Sequence, residues 1–229
     1  MITLDKTHGL LMDIDDTLIA THSNAFNKAR ETAKILGVNP PTSNNFYSVY
    51  NRLPFEDCIR TMHPGLPVDL YCECYNSLKE QFPDKLIADL PLLLCLQQRV
   101  ACLGILTNGP GNKTDRKLAA LGIALEMRSQ LFRCIFHADN LAYTKPDKRC
   151  FDEAKKMLNN HANKIVYVGD SIGDWIASRD AGIEFIAVMT GTHTREDFMH
   201  KGLSEGRILS SIQELAHEKA ENSSVVKAG

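Results

Sequence analysis

The chain has 229 residues, 44% of them hydrophobic and 24% charged, with a formal net charge of -2. That composition fits an ordinary soluble globular protein with room for one large domain or a domain carrying an insert. It excludes the strongly basic field of a nucleic-acid-binding protein or an anionic-membrane binder.

Cys58, Cys72, Cys74, Cys95, Cys102, Cys134 and Cys150 are odd in number, irregularly spaced and without a CxxC pair, so they read as reduced thiols and not as a metal or disulfide framework. No basic segment followed by a long apolar core opens the sequence, and the greasiest stretch, Leu90 to Leu96, is too short to span a bilayer and contains Pro91. A cytoplasmic location is the expectation.

In chain order, the first element is "GLLMDI" (9–14), an apolar strand that runs into Asp13, Asp15 and Asp16. Strand side chains alternate, so Asp13 and Asp15 share a face, Ile14 points away and Asp16 has the wrong parity to join them. Two carboxylates on one face could divide labour as nucleophile and proton shuttle; a solvated acidic turn is the other reading. Residues 19–99 show helical patterns and no convincing strand. "NAFNKARETAKILG" (24–37) places Phe26, Ala29, Ala33 and Leu36 at helical spacing and ends on Gly37. Prolines 40, 41, 54, 64, 67 and 83 divide the rest into short helices. This segment reads as a small helical domain inserted after the first strand, with hinges near Thr17–His22 and Asp84–Pro91.

Strand–helix alternation then resumes. "VACLGILT" (100–107), "LFRCIFH" (131–137), "KIVYVGD" (164–170) and "EFIAVMT" (184–190) are buried-strand patterns, and Lys113–Leu121, Lys148–Leu158 and Asp174–Ala181 are helical, with Gly122 and Gly182 as C-terminal caps. Apolar strands alternating with helices argue a parallel sheet covered on both faces, and such sheets bind ligands beyond the C-terminal ends of their strands.

Each strand end carries polar groups. After the second, Thr107 offers a hydroxyl, Asn108 and Gly109 offer backbone N–H groups suited to phosphate oxygens, and Asn112 is placed to cap the next helix; a plain strand-to-helix turn is the other reading. After the third, Pro146 suits the first turn of the next helix and pushes Lys145 out of helical geometry, where a cation against the helix dipole makes sense if it faces an anion; an exposed surface lysine is the other reading. After the fourth, Asp170 and Asp174 either join the acidic cluster or serve, with Ser171, to cap the following helix. Four carboxylates on one sheet edge need cations. Hard oxygen ligands call for Mg²⁺, and Mg²⁺ with Lys145 balances the charge in a way that suits phosphoryl transfer.

"DIDDTL", "LTNG", Lys145 before Pro146 and "GDSIGD", in that order and at strand ends, resemble the four motifs of the haloacid dehalogenase superfamily. The resemblance covers residues 8–218, and the helical insert is similar to the cap of its phosphoglycolate phosphatase and β-phosphoglucomutase branch. It implies a Rossmann-like α/β core over residues 1–19 and 90–229, with a helical cap domain at 20–89. It also implies a Mg²⁺-dependent phosphatase for a small phosphorylated metabolite of the phosphoglycolate or sugar-phosphate type. Asp13 would become an aspartyl-phosphate and Asp15 would act as acid and then base. Thr107, Asn108, Gly109 and Lys145 would hold the phosphoryl group. Mg²⁺ would bind the Asp13 carboxylate, the Asp15 carbonyl and Asp170, with Asp174 orienting Lys145 or metal water.

The retained Asp15 argues against a dehalogenase, and Asp16 stands where this branch more usually has Gly. The cap would choose the leaving group, with Arg52 as the leading contact and Arg60 and His63 behind it. "TGTHTRED" (190–197) could edge the site, but Thr194 with Asp197 is also a helix-start signature. A phosphomutase and a non-catalytic phospho-signalling module are the alternatives. The expected partner is a small phosphorylated molecule, without nucleic acid or membrane, for a monomer or homodimer.

Overall fold

The computed structural model describes residues 4–50 and 53–217. The chain divides into two compact units, Thr21–Lys85 and the remainder.

In the larger unit, β1 is His8–Met12, every residue of it buried. Two-residue strands, β2 (Ile19–Ala20) and β3 (Lys85–Leu86), pair with each other. They are too short to leave a periodic signal in the sequence, which is why the 19–99 stretch reads as strand-free.

The smaller unit holds α1 (His22–Ile35), α2 (Ser43–Val49), α3 (Phe55–Met62) and α4 (Val68–Ser77). Pro54 and Pro67 stand at the N-caps of α3 and α4, where a missing N–H costs nothing. Gly37 ends α1 with φ +68°. Ala25, Ala29 and Phe46 form the core, walled by Phe26, Tyr47, Tyr50 and Tyr75, and the Tyr71 hydroxyl ties α4 to α1 by donating to the Ala29 carbonyl at 3.2 Å.

The larger unit continues with α5 (Leu90–Arg99), capped by Asp89, whose carboxylate accepts the Leu92 N–H at 2.9 Å. Then come β4 (Cys102–Leu106), α6 (Gly111–Ala120), α7 (Leu125–Leu131) and β5 (Phe132–Phe136). A 3₁₀ turn at Lys148–Phe151 leads into α8 (Asp152–Leu158), β6 (Lys164–Gly169), α9 (Ile172–Asp180) and β7 (Glu184–Val188). The described chain closes with α10 (Arg195–His200), β8 (Ile208–Leu209) and α11 (Glu214–His217). No described helix is long and apolar enough to cross a membrane, and all seven cysteines are free.

The main sheet has the order β5-β4-β1-β6-β7-β8, parallel throughout. The chain leaves β1 toward β4 on one side and later returns to β6 on the other, so the topological switch lies at β1, and a ligand crevice is expected beyond its C-terminal end. The sheet's two faces feed separate cores. Leu10, Met12, Ile14, Val166 and Val168 pack with Leu93, Leu96 and Leu118 of α5 and α6. Leu11, Tyr167, Phe185 and Ala187 pack with Phe151, Ala154, Ala177 and Phe198 on the opposite face. Each fully buried Leu, Ile or Phe contributes about 1.5–3 kcal/mol, and this anchorage lets the strand ends carry groups that gain nothing from burial.

Candidate active site

Asp13 extends β1 by one step, its N–H donating to the Val168 carbonyl at 2.9 Å. It has the parity of Leu11, while Ile14 lies in the other core, as the alternation requires. Asp15 forms an isolated parallel bridge with Ile19. Asp16 is buried at φ +53°; its N–H donates to the Ile19 carbonyl at 2.7 Å and its carbonyl accepts the Thr190 hydroxyl. Left-handed backbone costs a side-chain-bearing residue roughly 1–2 kcal/mol, and Asp tolerates it better than most. This conformation accounts for a position where glycine fits naturally.

Lys145 is buried at the centre of the cluster. Its Nζ lies 3.0 Å from Asp13 Oδ2 and 2.7 Å from Asp174 Oδ1, and donates to the Tyr167 hydroxyl at 2.7 Å. Tyr167 in turn donates to the Leu106 carbonyl at 2.7 Å. The Asn108 amide clasps the Lys145 backbone, donating to its carbonyl at 2.8 Å and accepting its N–H at 2.9 Å. Asp174 does both things the sequence left open. Its Oδ2 accepts the Ser171 N–H and hydroxyl in a capping box, while Oδ1 holds Lys145.

Two expected helix starts move. Pro146 precedes the 3₁₀ turn instead of sitting in the first turn of the helix, because Asp147 takes the N-cap and accepts the Arg149 N–H at 2.9 Å. Asn112 does not cap α6, which starts one residue earlier at Gly111. There Asp139, from the loop after β5, accepts the Gly111 N–H at 2.7 Å and supplies the cap from a distance.

Asp13, Asp170 and Asp174 present carboxylate oxygens all within 4.8 Å of one another, and all three residues are buried. Burial pushes Asp13 up to about 7 against the pull of the Lys145 ammonium, with Asp174 and Asp15 adding to the rise. Burial, then Asp174, Asp13 and Asp16, hold Asp170 well above the usual carboxylate range. Burial would depress Lys145, but Asp13 and Asp174 outweigh it and keep the ammonium above its ordinary value.

Three carboxylates against one ammonium leave an excess of two negative charges when all are ionised. A divalent cation with a preference for hard oxygen donors fits that deficit. The surrounding glycines make the room: a Cβ at Gly169 would stand 2.6 Å from Asp174 Oδ2, and one at Gly191 would overlap Asp170 Oδ2. Gly191→Ala should therefore displace Asp170 and weaken any divalent-cation binding at this cluster by about 10- to 100-fold, measured by calorimetric titration. Unchanged affinity would count against Asp170 as a ligand for such an ion.

Thr107 is buried at the end of β4, and its Oγ1 accepts the Gly109 N–H at 3.2 Å, so the N–H expected to face a phosphate is engaged within the loop here. Across that loop, Asp15 Oδ1 accepts from the Lys117 ammonium of α6. Sequence reasoning missed Lys117, Tyr167, the Asn108 amide and Asp139. Tyr167 had a signal, since a tyrosine within a fully buried strand must find a hydroxyl partner.

Arg52 lies outside the described residues. Arg60 is exposed and pairs locally with Asp57 at 2.7 Å and Glu56 at 3.5 Å, the ordinary arrangement of a solvated helix face. His63 is buried against Tyr71, with ring centroids 5.5 Å apart, and burial depresses its pKa. The His193 ring packs edge-on to Phe198, and Thr194 with Asp197 forms the capping box of α10.

Residues 10–188 match the family described as haloacid dehalogenase-like hydrolase. The chain is 28% identical over 214 residues to validoxylamine A 7'-phosphate phosphatase of Streptomyces hygroscopicus subsp. limoneus, covering 86% of this chain and 94% of that protein. It is 33% identical over 110 residues to a phosphoglycolate phosphatase of Colwellia psychrerythraea, covering 48% of this chain and 46% of that one. Among solved structures, CbbY from Rhodobacter sphaeroides in complex with phosphate shares the fold with a TM-score of 0.62 at 20% identity, covering 90% of this chain and 95% of that chain.

Proposed function

We propose, from the premise that the chain belongs to the haloacid dehalogenase-like hydrolases, that it is a Mg²⁺-dependent phosphatase acting on a small phosphorylated metabolite of the phosphoglycolate or sugar-phosphate type. The observation that carries this reading is Lys145, buried and shared between Asp13 and Asp174 beside Asp170. Such an arrangement keeps a nucleophilic carboxylate in place and offers positive charge to an incoming phosphoryl group.

Asp13 attacks phosphorus and the ester bond to the leaving oxygen breaks, with Asp15 giving that oxygen a proton. Asp15 then takes a proton from water, which attacks phosphorus and releases inorganic phosphate and the Asp13 carboxylate. Thr107 and Lys145 hold the phosphoryl oxygens, and Asn108 keeps Lys145 placed through its backbone. Asp13, Asp170 and the Asp15 carbonyl would bind Mg²⁺, with Asp174 keeping Lys145 in line. When bound, the ion supplies the positive charge that lets phosphate approach this acidic edge.

The test is a Mg²⁺-dependent screen of phosphorylated metabolites for phosphate release, with Asp13→Asn as the blank. Release that persists in the blank would sink the role of Asp13. Isomerised sugar phosphate without free phosphate would favour a mutase.

The carboxylates also set a pH dependence of stability. The folded pKa of Asp13, about 7, exceeds an unfolded value of about 3.9, so the folded state holds the proton more tightly. That contribution is fully present below about 4 and is lost as the pH rises through about 7. Asp170 shifts in the same direction. Mg²⁺ is therefore expected to raise the melting temperature more at pH 8 than at pH 5, seen by scanning calorimetry with and without chelator. An equal shift at both would contradict the placement of the ion among these groups.

A further inference from the structure

Lys117 occupies a place where a lysine needs a reason. The inward residues of α6 are Gly111, Thr114, Lys117 and Leu118, the spacing of one helix face, and Leu118 on that face joins the sheet core. Lys117 is 6% exposed. A buried ammonium is tolerated only when paired, and its partner is Asp15 Oδ1. The last turn of α6 favours the cation through the helix dipole, but the dipole does not select a partner 102 residues away in sequence.

The geometry around Asp15 gives the pair a direction. The Asp15 side chain keeps 36% of its exposure. Its second oxygen, Oδ2, lies beside the β4 loop, 3.7 Å from where a Gly109 Cβ would stand, and Thr107 Oγ1 is 3.5 Å from that same point. One oxygen is thus anchored by Lys117, and the other is presented beside Thr107.

We infer that Lys117 is a positioning residue for Asp15. It clamps Oδ1 so that Oδ2 stands at the Thr107–Gly109 loop, where the proton passes to the leaving oxygen as the bond from that oxygen to phosphorus breaks. The inference rests on the phosphatase reading, and Lys117 itself touches neither the phosphoryl group nor Asp13 in this scheme.

The test compares two esters. The leaving group of 4-nitrophenyl phosphate departs without help from an acid, whereas an alkyl phosphomonoester needs the proton. General acid catalysis is typically worth about 10²–10⁴, and misplacing the acid forfeits part of it. Lys117→Met should lower kcat/KM for the alkyl ester by about 30-fold and for 4-nitrophenyl phosphate by less than about 3-fold. Lys117→Arg should recover part of the alkyl-ester loss. In an Asp15→Asn background, Lys117→Met should add no further leaving-group dependence. If Lys117→Met fails to fold, Lys117→Gln carries the same comparison.

Equal losses on both esters, or no loss on either, would overturn the inference and leave Lys117 as a structural ion pair. An unmodified enzyme that turns over neither ester would instead overturn the phosphatase reading, and the inference with it.

Discussion

Asp13→Asn is expected to lower kcat/KM for every phosphorylated substrate by at least about 10³-fold, or about 4 kcal/mol of transition-state stabilisation. The amide is a poor nucleophile and cannot take up the phosphoryl group. The same substitution should make the metal-free protein more stable at pH 8. Asp13 is buried, pushed up to about 7, and faces Asp170 and Asp174 with Lys145 as the shared counter-charge. Removing its charge cuts the excess of negative charge from two to one, so a gain on the order of 1–3 kcal/mol is expected. Enzyme assays and chemical denaturation in chelator check the two halves. Lost activity with lost stability would point to an unfolded variant and not to a missing nucleophile.

Lys145→Met should damage both properties together. The ammonium serves Asp13, Asp174 and Tyr167 at once, and breaking a buried pair by removing one partner costs about 3–5 kcal/mol. Turnover should fall by about 10²- to 10³-fold, the loss expected of a positive charge proposed to face the transferred phosphoryl group. Excess Mg²⁺ should restore part of the stability, because it relieves the carboxylates, and little of the turnover. Full recovery of turnover would show that Lys145 serves only to balance charge.

The sheet was legible because each main strand is an apolar run closed by a polar turn. The expected 164–170 and 184–190 strands are β6 and β7, shortened by a residue or two at their ends. Strand parity put Asp13 on one face with Asp15 but left a solvated acidic turn open; in the fold Asp13 clusters with Asp170 and Asp174, while Asp15 pairs with Lys117. Gly122 and Gly182 stand at φ +80° and +68° as helix-ending glycines. What stayed hidden depends on partners distant in sequence. Lys117 looks like any surface lysine in "NKTDRKLAALG" until the fold brings Asp15 against it. Asn108 was read for its backbone, yet its amide grips Lys145 across 37 residues. The Asn112 cap was displaced by Asp139 for the same reason, since a tertiary acceptor took the role that local sequence assigned. Asp16, set aside on parity, is held left-handed by Ile19 and Thr190 and adds its charge to Asp170.

Asp13 is the residue proposed to carry the phosphoryl group. Asp15→Asn would remove the base proposed to free it, and acetyl phosphate is a donor whose leaving group needs no acid. Incubating that variant with Mg²⁺ and acetyl phosphate, quenching in acid and mapping the product by mass spectrometry should find one phosphoryl group on the peptide containing Asp13, absent when Asp13 is also changed to Asn. A phosphoryl group on any other residue, or an unmodified Asp13 in a variant that still releases phosphate, would contradict the account.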